Sequence, residues 1–245
     1  MSLKGIIYEY DTVNHLIAFS SNIKSKTNII LVGGLYHNLL SLPYTKTLYR
    51  MTKKKNINLI IPQFRSHPNF GIYSIDNDVT DLSNVIKDLQ GDIILLGNST
   101  GCQVIMLYIN LYVDLRIKLC ILQGAVSDTE YFEYKYKINS QIQNDKLFYF
   151  ENVVYTKERF KSLYFRYNKE DLFSSYLDDD HFKNLNKNNY KLIFVISGND
   201  EYGIKDIKEK FNKVTNSEVI VFEGGDHFLK DKESQKKLIK LIKKH

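Results

Sequence analysis

Gly97-Asn98-Ser99-Thr100-Gly101 sets one serine between two glycines, and Asp200 and His227 follow it along the chain. A hydroxyl, an imidazole and a carboxylate together suit nucleophilic acyl transfer. The serine attacks, the histidine takes its proton, and the carboxylate fixes the tautomer of the imidazole. The five-residue pattern is only suggestive alone, and its context gives it meaning. The apolar run Asp92–Leu96 (DIILL) precedes it and a helical pattern continues through Gln103–Val113. That is the strand–turn–helix order a G-x-S-x-G elbow requires. Such a turn strains the serine backbone, and flanking glycines let strand and helix approach closely.

The expected order is Ser, then Asp or Glu, then His. Asp200 stands in SGNDE, just after the run Lys191–Ile196 (KLIFVI), and His227 in EGGDHF, after Glu218–Phe222 (EVIVF). Glu201 and Asp226 are rival carboxylates that rank below Asp200. A tetrahedral oxyanion needs preorganised N–H donors. The backbone N–H of Thr100 is one candidate, and the loop Gly33-Gly34-Leu35-Tyr36-His37-Asn38 offers Leu35 or Gly34 as the second. His37, His67 and Asn98 are possible pocket residues, with a surface role equally open to the two histidines. His15, His181 and His245 show no metal-ligand spacing, the two cysteines are far apart, and neither a P-loop nor G-x-G-x-x-G occurs. No metal and no cofactor are expected.

These residues need strands and helices to position them. Continuous β-branched runs fall at Asn28–Val32, Ile57–Ile61, Asp92–Leu96, Lys118–Leu122, Lys191–Ile196 and Glu218–Phe222, after an antiparallel pair at Gly5–Glu9 and Leu16–Ser20. Strands of this kind are buried on both faces, as in a parallel sheet. Helical patterns alternate with them at Leu40–Lys54, Asp76–Leu89, Thr100–Val113, Ile204–Val214 and Lys232–Lys244. The alternation predicts an α/β fold with a mostly parallel, doubly wound sheet. From Asp128 to Asn189 the alternation breaks into a stretch rich in Tyr, Phe and Lys. This stretch reads as an inserted helical cap over the carboxyl ends of the strands, within one domain spanning 1–245.

At 245 residues and 43% hydrophobic content, the chain can fill a sizeable core without staples. Its formal charge of +6 raises the question of an acidic partner. The lysines are spread over many polar stretches among abundant Asn, Ile and Tyr, which looks like the codon bias of an AT-rich genome. Without a basic stripe or stacking motif, nucleic-acid binding is not expected. Cys102 and Cys120 lie in apolar runs and read as free buried thiols of a reducing, cytoplasmic setting. The N-terminus lacks a signal-peptide apolar region, and no apolar run reaches transmembrane length.

Several motifs together resemble one family. They are VGGLYHNLLSLPY at Val32–Tyr44, the elbow GNSTGCQ, the strand end ILQGAVSDTE, and the pair SGNDEY and GGDHF. This is a little-characterised group of α/β-hydrolases from fungi, plants and protists that includes a fungal siderophore esterase. The resemblance implies a Ser–Asp–His esterase without a cofactor, its nucleophile at Ser99, acid at Asp200 and base at His227. The family commonly has His before the nucleophile, where this chain has Asn98. In V-S-D-R-E the arginine is Thr129 here, and no Trp occurs. These departures surround the expected pocket and bear on the substrate rather than the reaction. The leading expectation is an esterase acting on a small-molecule ester. A thioesterase or lipase with the same triad, and a non-catalytic binding protein of the same fold, are the alternatives.

Overall fold

The computed structural model describes residues 2–137 and 146–245. Strands β1 (Ile6–Asp11) and β2 (Leu16–Ser20) form an antiparallel hairpin. There follow β3 (Thr27–Val32), α1 (Thr45–Lys55), β4 (Asn58–Pro62), α2 (Ile75–Lys87), β5 (Asp92–Asn98), α3 (Thr100–Leu111) and β6 (Ile117–Gln123). The excursion contains α4 (Asp128–Tyr136), β7 (Leu147–Phe150), β8 (Val153–Thr156), α5 (Lys157–Tyr164) and α6 (Asp179–Lys183). The chain returns through β9 (Leu192–Ser197), α7 (Lys208–Phe211), β10 (Ser217–Phe222) and α8 (Lys232–Lys244).

Eight strands form one sheet in the order β1-β2-β4-β3-β5-β6-β9-β10. From β4 to β10 every pairing is parallel, and β2 joins β4 antiparallel. Helices cover both faces. Leu48 and Met51 of α1 and Leu238 and Ile242 of α8 pack on one face with Ile29, Leu31, Leu96 and Ile121. Val79, Leu82, Val85 and Ile86 of α2 and the apolar side of α3 pack on the other with Ile30, Leu95 and Leu122. This is the doubly wound arrangement expected from the alternation.

Three elements differ from the sequence expectation. Helix α1 starts at Thr45 rather than Leu40, because Pro43 disfavours helical backbone at Leu42 and Asn38–Ser41 is a turn instead. The helix expected over Ile204–Val214 shrinks to Lys208–Phe211. In that stretch Phe211 and Val214 alone are buried, too little apolar surface for a longer amphipathic helix. The excursion is not purely helical. Leu147–Phe150 and Val153–Thr156 pair as an antiparallel hairpin, matching their aromatic and β-branched composition. Residues 138–145 of the expected cap lie outside the described residues.

The excursion has its own aromatic core: Phe132, Phe148, Phe160, Tyr155 and Leu163 pack with Phe70 from the β4–α2 loop. The Phe132 ring stacks on Tyr164 at 4.4 Å and meets Phe160 edge-on at 5.4 Å. Beneath it, the buried Arg159 guanidinium pairs with Glu170, and its Nε donates to the carbonyl of Phe70 at 2.8 Å.

Candidate active site

Five adjacent strands end at one edge, and each hands over a different piece. β5 delivers Ser99, β3 the Gly33–His37 loop, β6 the segment to Asp128, β9 Asp200 and β10 His227. Ser99 has φ 55° and ψ −131°, outside the helix it precedes. A non-glycine residue adopts such a backbone only when its surroundings enforce it. Here the enforcement is packing: Gly101 lies so close to β3 that a Cβ on it would fall 2.3 Å from the Val32 carbonyl oxygen. Gly34 meets the serine itself, since a Cβ there would stand 2.7 Å from Ser99 Cβ and 3.3 Å from its Oγ.

His227 Nδ1 lies 2.9 Å from both Oδ1 and Oδ2 of Asp200. Both side chains are almost fully buried, at 2% and 6% exposure. Asp200 thus orients the imidazole through Nδ1 and leaves Nε2 turned away from the carboxylate. The rival carboxylates are engaged elsewhere. Glu201 Oε2 accepts the backbone N–H of His227 at 3.1 Å, and Asp226 Oδ1 accepts the N–H of Lys230 at 2.8 Å. The Ser99 hydroxyl and the imidazole line the same cavity, without a hydrogen bond between them among the described residues. Unliganded sites commonly close that last contact only around substrate.

Around the nucleophile, Thr100 opens α3, so its N–H has no carbonyl one turn behind it. In the β3 loop, Gly34 N–H donates to His37 Nδ1 at 2.8 Å. That bond occupies the Gly34 N–H, one of the two donors the sequence offers in this loop. His37 must be neutral to accept this bond. Burial, with a smaller electrostatic contribution from His227, lowers it to about 4. Its ring packs on Phe228 at 5.8 Å.

Two expected pocket residues are placed elsewhere. Asn98 is fully buried behind the elbow, where its Nδ2 donates to Gln123 Oε1 at 2.7 Å and to the His227 carbonyl at 3.2 Å. His67 stacks on Phe64 at 5.5 Å outside the cavity lining. Gln123, to which sequence reasoning assigned no role, donates from Nε2 to the His227 carbonyl at 3.0 Å. With Asn98 it anchors the histidine loop to the middle of the sheet. Asp128 was also unassigned. It lines the cavity and accepts from Gln103 Nε2 at 3.1 Å. Burial, together with the nearby Glu170 charge, raises Asp128 to about 7. Both residues lie in the ILQGAVSDTE run, but a lone Gln or Asp after a strand carries no distinguishing periodicity.

The cavity encloses about 410 Å³, within the range of small-molecule sites. The excursion supplies much of its wall, through Tyr131, Phe132, Tyr136, Phe150, Tyr155 and Tyr164. Lys135 adds one cation, 4.8 Å from the Tyr136 ring centroid. Among the described residues no group of three or more His, Cys, Asp or Glu could hold a metal ion, and no helix is long and apolar enough to cross a membrane.

A family profile described as "Protein of unknown function (DUF1749)" matches residues 1–145, more than half of the chain. The chain belongs to this family. No curated protein matches the sequence. Solved structures match over nearly their whole lengths. The siderophore hydrolase EstB from Aspergillus fumigatus aligns with a TM-score of 0.78 at 16% identity, over 99% of this chain and 96% of that one. Est1E from Butyrivibrio proteoclasticus aligns at 0.73 with 15% identity, covering 98% and 97%. The alpha/beta hydrolase domain-containing protein 10 from mouse aligns at 0.72 with 15% identity, covering 100% and 98%. At such identities the likeness is one of fold, and that fold is the α/β-hydrolase fold.

Proposed function

We propose that the protein is a serine hydrolase cleaving a carboxylic ester, with Ser99 as nucleophile, His227 as general base and Asp200 as its orienting acid. The observation that carries this reading is the buried Asp200–His227 pair opening onto the same cavity as a serine held at φ 55°. In the reaction, Ser99 Oγ attacks the ester carbonyl while His227 Nε2 takes its proton. Asp200 stabilises the imidazolium without itself being protonated. The N–H groups of Leu35 and Thr100 receive the developing oxyanion, and each such donor contributes about 10²–10³-fold in turnover. His227 returns the proton to the leaving alcohol, and water then hydrolyses the acyl-serine by the same route.

The chain is one domain in this reading, with residues 128–189 as a cap that forms the substrate side of the site. Its aromatic wall and single Lys135 suit a small ester with a flat apolar portion. A cytoplasmic setting accompanies the reading, supported by the free, buried thiols of Cys102 and Cys120. A fluorophosphonate probe tests the assignment. Labelling of the folded protein that disappears in Ser99→Ala is expected, whereas unlabelled folded protein would remove Ser99 as nucleophile.

A further inference from the structure

Helices α1 and α8 carry Lys46, Arg50, Lys53, Lys54 and Lys55, and Lys232, Lys236, Lys237, Lys240, Lys243 and Lys244. These are eleven of the chain's 34 lysines and arginines, against one of its 28 acidic residues, Glu233. The remaining chain therefore holds 23 basic and 27 acidic residues, so the whole positive excess resides on two helices. They are far apart in sequence, and the fold makes them neighbours. Both follow parallel strands and pack on the same sheet face, with Thr47 Oγ1 donating to Gln235 Oε1 at 3.0 Å. All eleven cations are exposed. Among the described residues only Lys237 has an acidic partner, Glu233 at 3.2 Å.

Helix energetics do not account for this. Cations in the last turn, such as Lys53–Lys55 and Lys243–Lys244, complement the helix dipole. Lys46 and Lys232, in the first turns, oppose it, and Arg50, Lys236 and Lys240 lie mid-helix, where the dipole is neutral toward them. Like charges three and four residues apart also destabilise a helix. A face retained against these terms is suited to a negatively charged partner.

We propose that this face docks on the surface of an anionic lipid bilayer. The two helices bury their apolar residues against the sheet and leave their cations exposed, a pair of cylinders side by side that can meet a planar surface. The face has no exposed aromatic side chain to stack bases, since Tyr49 is buried, and single-strand binders rely on such stacking. It has no exposed large apolar residue either, so the contact is peripheral and electrostatic. The loops bearing Leu35 and His37, and His227 and Phe228, lead into the two helices, so the face begins at the edge that holds the cavity. The proposal does not depend on the chemistry assigned to Ser99.

Co-sedimentation of the full chain with vesicles tests it, comparing pure phosphatidylcholine with a mixture containing about 30% phosphatidylserine. Binding to the anionic vesicles alone, falling steeply as salt rises from about 0.1 to 0.5 M, is expected. Each cation near an anionic leaflet contributes about fivefold to partitioning. The triple variant Lys54→Glu, Lys236→Glu, Lys240→Glu should then bind at least about 100-fold more weakly. A control with Lys161→Glu, Lys187→Glu and Lys205→Glu, all exposed elsewhere, should change binding little. Circular dichroism and the melting temperature establish that both variants fold. Three results would each overturn the proposal: no binding to anionic vesicles, equal loss in the control, or tighter binding to an oligonucleotide than to the vesicles.

Discussion

The sheet and the excursion that covers it are built from different side chains. Between β3 and β10 the buried residues are mainly Ile, Leu and Val, interdigitated with helices on both faces. The excursion packs around Phe132, Phe148, Phe160 and Tyr155. It also buries charge, in the Arg159–Glu170 pair. Aliphatic strands packed on both faces form a rigid platform, as the proposed triad requires. Aromatic clusters instead offer large, flat contact surfaces with few constraints on sequence. The cavity combines both: Ser99 and His227 come from the strand ends, and much of its aromatic wall comes from the excursion.

The largest test of that division is on the sheet side. Ser99→Ala should lower ester hydrolysis by at least about 10⁴-fold, and Asp200→Asn by about 10³–10⁴-fold, while both variants keep the melting temperature within a few degrees. Hydrolysis that survives Ser99→Ala would move the nucleophile elsewhere. On the cap side, Phe132→Ala should cost about 3–5 kcal/mol. Amide hydrogen exchange should show that loss confined to residues 128–136 and 147–164, with β5 still protected. Protection lost equally in β5 would mean that cap and sheet unfold as one unit.

Within the loop after β3, Gly34→Ala should reduce turnover by about 10²–10³-fold with little change in fold, since its Cβ would displace Ser99. Steady-state kinetics on a p-nitrophenyl ester reads this directly. The smallest effect concerns Asp128. A carboxyl raised to about 7 in the folded state binds a proton there that the unfolded chain releases near pH 4. Its contribution to stability therefore declines as pH rises from about 4 to 7. Asp128→Asn should match the native protein at pH 4.5 and exceed it by about 1–2 kcal/mol at pH 8 in urea unfolding, a value discounted for the cavity that its carboxyl faces. Equal stability at both pH values would show that the group keeps its charge in the folded protein, with Arg159 among the charges that favour it.

Much of this fold is legible in the sequence. The strands Leu16–Ser20 and Asp92–Leu96 and the helix Lys232–Lys244 follow from runs whose periodicity matches their burial. Ser99, Asp200 and His227 were legible because each follows a strand and so must emerge at one edge of a parallel sheet. The cap hairpin was not, because short aromatic runs suit strand and helix alike.

By itself, then, the sequence determined the α/β class, the order of the strands along the chain and the identity of the three converging side chains. These are local properties, set by periodicity and by what directly precedes each residue. Tertiary structure alone decided that Gly34 N–H is taken by His37. It also turned Asn98 and Gln123 to hold the carbonyl of His227 rather than face the cavity. The same holds for the charge. Lysines that look scattered along the chain become one face when α1 and α8 pack side by side. Hydrogen-bond partners and surface fields depend on distances between residues remote in the chain, and those distances exist only once the sheet has closed them.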